Sequence, residues 1–149
     1  MTEVNLNQAE AEMLIAMEKH RIDNNNYSFP VPGESLSVPL ISTDKREYFI
    51  LDIGRSRIDL QKVSYQNRAR QVVSLVRLDL GGPPHRNPDG REISVPHIHI
   101  YREGFGDKWA NPIPVDKFTD MDDIQKTLYQ FMDFCNITIQ PRIQRGLFS

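Results

Sequence analysis

The 149-residue chain contains a single cysteine, Cys135. One cysteine excludes an internal disulfide and a metal cage built from several thiolates. Cys135 falls within an apolar helical pattern, so we expect a buried, unreactive thiol rather than a nucleophile. The chain is long enough to bury a core without disulfides. We therefore expect one domain, residues 1–149, in the reducing environment of the cytoplasm.

Long apolar runs and several familiar motifs are also missing. No stretch approaches the roughly 18 apolar residues of a membrane span, and the N-terminus has no basic leader followed by an apolar run, so we expect no membrane association. The chain has no phosphate-binding Gly-rich loop, Gly-x-Ser-x-Gly, His-Glu-x-x-His or Cys-x-x-Cys. The sequence therefore lacks the motifs that usually indicate serine hydrolases, zincins and thiol redox proteins.

A strong excess of charge is absent as well, because the net charge is only −2. This balance argues against a general nucleic-acid coat protein. The middle of the chain, 44–86, nevertheless carries 9 basic and 5 acidic residues. Arg68, Arg70 and Arg77 belong to this basic segment, which is able to follow a phosphate backbone or to lie on solvated strand faces.

Hydrophobic spacing predicts helices at both ends and strands between them. Asn7 and Glu10 form a capping-box pattern before an amphipathic helix of about four turns. A second helix is predicted over 119–137, with its acidic first turn at the positive end of the helix dipole. Strands are predicted at 35–43, 47–54, 57–65, 70–80 and 97–101. We expect an α+β fold: a curved antiparallel sheet of about five strands with the N-terminal and C-terminal helices packed on one face.

The strand at 97–101 presents a group of polar side chains. In strand geometry Ile98 and Ile100 face the core, whereas His97, His99 and Tyr101 lie on the opposite face. If this strand and the one at 70–80 are the arms of a hairpin, those side chains lie beside Arg77 and Asp79. The long loop 81–96 would bring His85 and Arg86 to the same face.

Our leading functional prediction is metal-independent cleavage of RNA by a protein of toxin or mobile-element type. This reaction needs a base, an acid and cations that stabilise a charged phosphorane. His97 or His99 is the predicted base and His85 the predicted acid. The predicted cationic clamp comes from Arg102, Lys108 or Arg86. We expect this chemistry to need no cofactor and no metal.

Two other functions fit the same residues. A His-x-His strand can bind zinc or iron with Glu103, Asp107 or His85 as third ligand, which would make the protein a metal-dependent hydrolase. Alternatively, the polar face forms an interface of a non-catalytic antitoxin or inhibitor, and a protein partner or a dimer is then expected. The binding residues predicted across these hypotheses are Arg68, Arg70, Arg77, Arg86, Tyr101, Glu103, Asp107 and Trp109, where Tyr101 or Trp109 would stack on an RNA base.

Two sequence blocks carry a family resemblance. With "PHRNPDG" and "PHIHIYREGFGDKWA", the chain resembles an uncharacterised family of small bacterial and phage-associated proteins. The likeness extends from "SVPLIST" to "FMDFCNI". The shorter Pro-x-His-x-His block, 96–99, is similar to small domains of toxin–antitoxin modules. Both resemblances imply a bacterial or mobile-element setting, in which small RNA-cleaving toxins and small inhibitors are common.

Overall fold

The computed structural model describes residues 5–145, which form two helices and twelve short strands. The helices are α1 (Gln8–Ala16) and α2 (Ile124–Phe134). The strands are β1 (Lys19–Arg21), β2 (Asn26–Ser28), β3 (Ser35–Ser42), β4 (Tyr48–Arg55), β5 (Val63–Ala69), β6 (Val73–Asp79), β7 (His85–Arg86), β8 (Glu92–Ile93), β9 (His97–Ile100), β10 (Ala110–Pro112), β11 (Ile137–Ile139) and β12 (Arg142–Gln144). No helix among these described residues is long and apolar enough to cross a membrane.

Eight of the strands form one sheet in the order β10-β9-β6-β5-β4-β3-β1-β11. Neighbouring strands are antiparallel, except that β1 and β11 run parallel. The expected α+β class is therefore confirmed, but the estimate of about five strands is too low. The additional strands β1, β10 and β11 have three residues each, too few for an alternating pattern to be recognised in the sequence.

The first helix is shorter than predicted. Asn7 and Glu10 form the expected capping box, but the helix ends at Ala16 and the chain continues into β1. Lys19 is buried, and its ammonium group donates hydrogen bonds to the carbonyls of Ile15, Met17 and Cys135. One side chain thus satisfies backbone carbonyls at the C-terminal ends of both α1 and α2. Lys19 can do this from β1, although the sequence pattern predicts it to be helical.

The prediction of a strand over 57–65 is wrong for its first six residues, 57–62. Ile58 is 95% exposed, and the regular strand begins only at Val63. The Ser56 hydroxyl accepts the backbone N–H groups of Ile58 and Asp59, and the Asp59 carboxylate accepts that of Gln61. These local hydrogen bonds form a turn and compete with strand pairing.

The core lies on one face of the sheet, and both helices contribute to it. Leu14 of α1 and Phe131 of α2 belong to the same buried cluster as Leu51 and Tyr65 of the central strands. α2 is shorter than the predicted helix over 119–137: it begins at Ile124 after an Asp123 cap, so the acidic residues expected in its first turn lie before the helix. Cys135 is also buried, and burial raises the pKa of its thiol to about 12, so the prediction of an unreactive thiol is supported.

The opposite face carries rows of polar side chains. One row crosses the sheet through Ser37, Asp52, Gln66, Arg77 and His99, each paired with the next across neighbouring strands. The Asp52 carboxylate accepts hydrogen bonds from Ser37, Gln66 and, at 2.6 Å, the Arg68 Nε. Burial alone would raise the pKa of Asp52, but the hydrogen bonds from these three residues outweigh burial and lower it. Asp52 is therefore ionised in the folded protein at neutral pH.

We expect Asp52→Asn to lower the free energy of unfolding at pH 7 by about 1–2 kcal/mol, because an ion pair and charge-assisted hydrogen bonds are lost. The pKa of Asp52 is lower in the folded state, so this stabilisation is present above the unfolded-state pKa and is lost as the pH falls through the folded-state pKa. Urea unfolding from pH 7 downwards should show the difference between variant and wild type shrinking under acid conditions. A difference that stays constant with pH would contradict the prediction.

Candidate metal centre

The strands β6 and β9 bring the predicted polar residues together. They pair antiparallel with Arg77 opposite His99 and Asp79 opposite His97. This is the predicted hairpin pairing, and it is confirmed. Unlike the displayed side chains that the sequence suggests, however, His97 and His99 are buried, with 2% and 1% exposure.

The loop between these strands covers the histidines. It contains the small β7–β8 hairpin, and Asn87 fastens it to β10 by exchanging two hydrogen bonds with the backbone of Ala110. The loop places the His85 ring 4.7 Å from that of His99 and 6.1 Å from that of His97, measured between ring centroids. The predicted convergence of the three histidines is therefore confirmed.

Each of the three imidazoles has one ring nitrogen against a backbone carbonyl. His97 Nδ1 lies 3.1 Å from the Ile93 oxygen, His99 Nδ1 2.8 Å from that of Asp107, and His85 Nε2 2.7 Å from that of Lys108. A carbonyl oxygen can only accept a hydrogen bond, so these nitrogens carry the protons. In a neutral ring, the Nε2 atoms of His97 and His99 then carry the lone pairs.

Both lone pairs point towards the same carboxylate oxygen. Asp79 Oδ2 lies 3.1 Å from His97 Nε2 and 3.2 Å from His99 Nε2. Metal–ligand bonds of about 2.0–2.1 Å place neighbouring ligand atoms about 2.9–3.4 Å apart in tetrahedral or octahedral coordination. Asp79, His97 and His99 also form the group of described residues whose donor atoms lie close enough to share one ion. These three side chains are the candidate ligands of a metal.

The second oxygen of the carboxylate is held by its own partners. The Ser64 hydroxyl donates to Asp79 Oδ1 at 3.1 Å, and Arg77 Nε lies 3.3 Å from the same atom. Burial alone would raise the pKa of Asp79. When both imidazoles are protonated, the hydrogen bond from His99 and the charges of Arg77, His99 and His97 outweigh burial and hold that pKa well below its usual range. When the rings are neutral, the Arg77 guanidinium and the Ser64 hydroxyl remain as the partners of the carboxylate. Asp79 is thus an ionised carboxylate whose orientation is fixed by these contacts. Outer contacts of this kind to carboxylates and carbonyls are typical of metal ligands.

A family model described as a family of unknown function (DUF6978) matches residues 6–137. The chain belongs to this family. The expected kinship with an uncharacterised family is therefore confirmed, whereas the likeness to toxin–antitoxin domains stays a prediction. Neither the curated proteins nor the solved structures contain a match. The matched region includes every residue of the candidate centre.

A cavity of about 330 Å³ adjoins the cluster, and its polar lining includes Lys62 and Ser64, which were not predicted as site residues. Lys62 and Ser64 line it together with Arg77, Asp79, His85 and His97. Ser64 could have been predicted, because it pairs with Asp79 across β5 and β6. Lys62 could not, because it reaches the cavity through a contact between two loops.

Several predicted site residues lie elsewhere. The prediction that Tyr101 shares the face of the histidines is wrong, because Tyr101 is buried in the core and its hydroxyl bonds to the backbone of Leu6. Glu103 exchanges hydrogen bonds with Gln8, and Arg86 is exposed beside Glu92. Alternation places Tyr101 on the histidine face only if the strand continues, but β9 ends at Ile100.

The loop after β9 contacts the histidines through backbone carbonyls more than through its charged side chains. Asp107 both accepts the His99 N–H through its carbonyl and pairs with Arg77 through its carboxylate, at 2.6 Å. Lys108 provides the carbonyl for His85, while its side chain is exposed. The Arg102 guanidinium lies over the Trp109 ring at 4.2 Å. None of the predicted third ligands, Glu103, Asp107 and His85, belongs to the close group of described side chains that contains the two histidines, in which the third member is Asp79.

Two predicted binding residues of the basic middle segment form ion pairs within the fold. Arg68 pairs with Asp52, and Arg70 pairs with Glu47 and Glu10. These ion pairs leave little free positive charge on the arginines that were expected to follow a phosphate backbone.

Proposed function

We propose that the protein is a metal-dependent hydrolase whose ion is held by Asp79, His97 and His99. The observation that supports this proposal is the contact of two buried imidazole Nε2 atoms with one carboxylate oxygen, at 3.1 and 3.2 Å. The Nδ1–H groups of both rings donate to backbone carbonyls. In neutral rings the Nε2 lone pairs would therefore face the Asp79 carboxylate oxygen, and the two would repel each other. A bound cation turns this repulsion into attraction.

The two histidines differ in whether a hydrogen-bond donor faces their Nε2 atom. His99 Nε2 also has a donor, the Arg77 Nη2 at 3.1 Å. Within the described residues, no such donor faces His97 Nε2. His97 is therefore the residue for which either a metal ion or a second ring proton is required.

Two imidazole nitrogens and one carboxylate oxygen suit zinc, manganese or ferrous iron. Three protein ligands leave coordination positions for water, as in hydrolytic metal sites. Asp79 and His97 both line the cavity, so an ion held by them would adjoin a space that a substrate can enter. His85 lines the same cavity and lies beside His99.

This arrangement supports a hydrolytic reaction. A bound divalent ion lowers the pKa of its water towards neutrality. If Asp79, His97 and His99 held such an ion, it would supply this acidified water, and His85 would accept the water's proton as the water oxygen bonds to the scissile ester centre. The bond to the leaving group then breaks, and the proton moves from His85 to the departing oxygen. His85 has a free Nδ1 for this role because its Nε2 proton is given to Lys108.

Metal-independent cleavage of RNA is the second candidate. It is favoured by His85 and His97 lining one cavity with Lys62, which would provide two titratable groups and a cation. The neutralised arginines of the middle segment make it the weaker candidate.

Elemental analysis and hydrolysis assays with and without EDTA separate the two functions. We expect about one zinc, manganese or iron per chain after incubation with the metals and removal of excess. We also expect hydrolysis of an ester or phosphoester panel that EDTA abolishes and metal restores. RNA cleavage that persists in EDTA would support the ribonuclease instead. Iron accompanied by oxygen consumption, without hydrolysis, would contradict the hydrolase.

A further inference from the structure

The cavity beside the candidate centre is lined by charged side chains. Its charged lining residues are Lys62, Arg77 and Asp79. Asp107 also pairs with Arg77, so with neutral imidazoles the two cations and the two carboxylates balance, and a divalent ion would add two positive charges. A substrate that enters the cavity would therefore meet a positive potential, which favours an anion.

Only one of the two cations is available to a substrate. Arg77 already contacts Asp79, Asp107 and His99 through its three nitrogens. Lys62 has no carboxylate partner among residues 5–145, and its side chain is exposed. Arg77 thus holds the ligands in place, while Lys62 is free to bind.

Two glycines determine where Lys62 lies. A Cβ atom on Gly81 would overlap the Gln61 carbonyl, so only glycine allows the loop after β6 to approach this closely. Gly82 has a φ of +106°, and a Cβ there would lie 3.3 Å from Lys62 Cε. The aliphatic part of Lys62 thus packs along Gly82, which reduces the rotamer freedom lost when the ammonium binds a ligand.

We propose that Lys62 and the metal together bind the phosphoryl group of a phosphate-ester substrate. A phosphoryl group presents several anionic oxygens, so one can bind the metal while another accepts hydrogen bonds from an ammonium. The cavity volume of about 330 Å³ is at the small end of ligand pockets, which suits a phosphoryl group with a compact substituent. This inference rests on the proposed metal hydrolase and adds its substrate class.

Inorganic phosphate provides the direct probe. We expect metal-loaded protein to bind phosphate in a calorimetric titration, and Lys62→Gln to weaken that binding about tenfold. Arg57→Gln is the matched control, because it removes one positive charge from the same turn but lies outside the cavity lining. It should bind phosphate within about twofold of wild type. Equal binding by Lys62→Gln and wild type, or binding of acetate as tight as phosphate, would overturn the proposal.

Metal content and turnover, measured on the same samples, separate this proposal from the hydrolase. Lys62→Gln should retain the full metal content, raise KM for a phosphodiester and leave KM for a neutral ester unchanged. If wild type binds phosphate through Lys62 but hydrolyses no ester, the hydrolase is wrong and the phosphate site stands. If neutral esters are hydrolysed in a metal-dependent way while Lys62→Gln leaves phosphate binding unchanged, the hydrolase stands and the phosphate site is wrong.

Discussion

Asp79→Asn is expected to lower the metal affinity of the protein by a factor of about 100 or more, because it replaces the anionic ligand that both histidines face. Added metal should also no longer stabilise the folded state of this variant. An ion that binds only the folded state adds about 2.7 kcal/mol at a concentration of 100 times its Kd. Thermal unfolding with and without added zinc should therefore show a large shift for wild type and almost none for the variant.

Asp52→Asn is the matched control for this experiment. Asp52 lies on the same polar face, also accepts several hydrogen bonds and contacts no histidine. It should lose some stability but retain the zinc-dependent shift. His97→Ala, which removes a different ligand, should behave like Asp79→Asn. A zinc shift of wild-type size in both ligand variants would show that the ion binds elsewhere and would refute the proposed centre.

Lys19→Met is expected to lower the free energy of unfolding by about 3 kcal/mol. Lys19 is fully buried, and its ammonium donates to three carbonyls, from Ile15, Met17 and Cys135. Burial lowers the pKa of Lys19 to about 8, so the charge is still present at pH 7. Methionine fills a similar volume but leaves buried acceptors unpaired, at about 1–3 kcal/mol each before relaxation.

Denaturant unfolding at pH 7 measures this effect. Lys126→Met, an exposed position on α2, is the control and should change stability by less than about 0.5 kcal/mol. If Lys19→Met unfolds at the same denaturant concentration as wild type, hydrophobic packing around the methionine compensates for the lost hydrogen bonds, and the prediction is wrong.

The longer elements of the fold could be predicted from the sequence. β3, β4 and β6 each have seven or eight residues with regular burial, and α2 has a clear apolar face. Errors occur where short-range contacts decide the outcome. Lys19 continues a helical pattern but binds two helix ends from a strand, and Ile58 continues an alternating pattern but lies in a turn formed by Ser56 and Asp59.

The candidate site was predicted to the extent that strand pairing determines it. Alternation and the hairpin placed His97 and His99 beside Arg77 and Asp79, and the register is as expected. The contact of both histidines with the same Asp79 oxygen depends on side-chain directions, which strand pairing alone does not determine. The place of Lys62 depends on Gly81 packing against Gln61, a contact between loops that no periodicity indicates.

The carbonyls that accept hydrogen bonds from the three imidazoles come from Ile93, in the short strand β8 of the connection between β6 and β9, and from Asp107 and Lys108 in the loop after β9. A backbone carbonyl is the same whichever side chain its residue carries. The identities of Ile93 and Lys108 can therefore vary among relatives without disturbing the orientation of the histidines. The number of residues in each loop cannot vary so freely, because one insertion would move the carbonyl away from its ring. Loop length, more than loop sequence, is thus the quantity that the centre requires to be conserved.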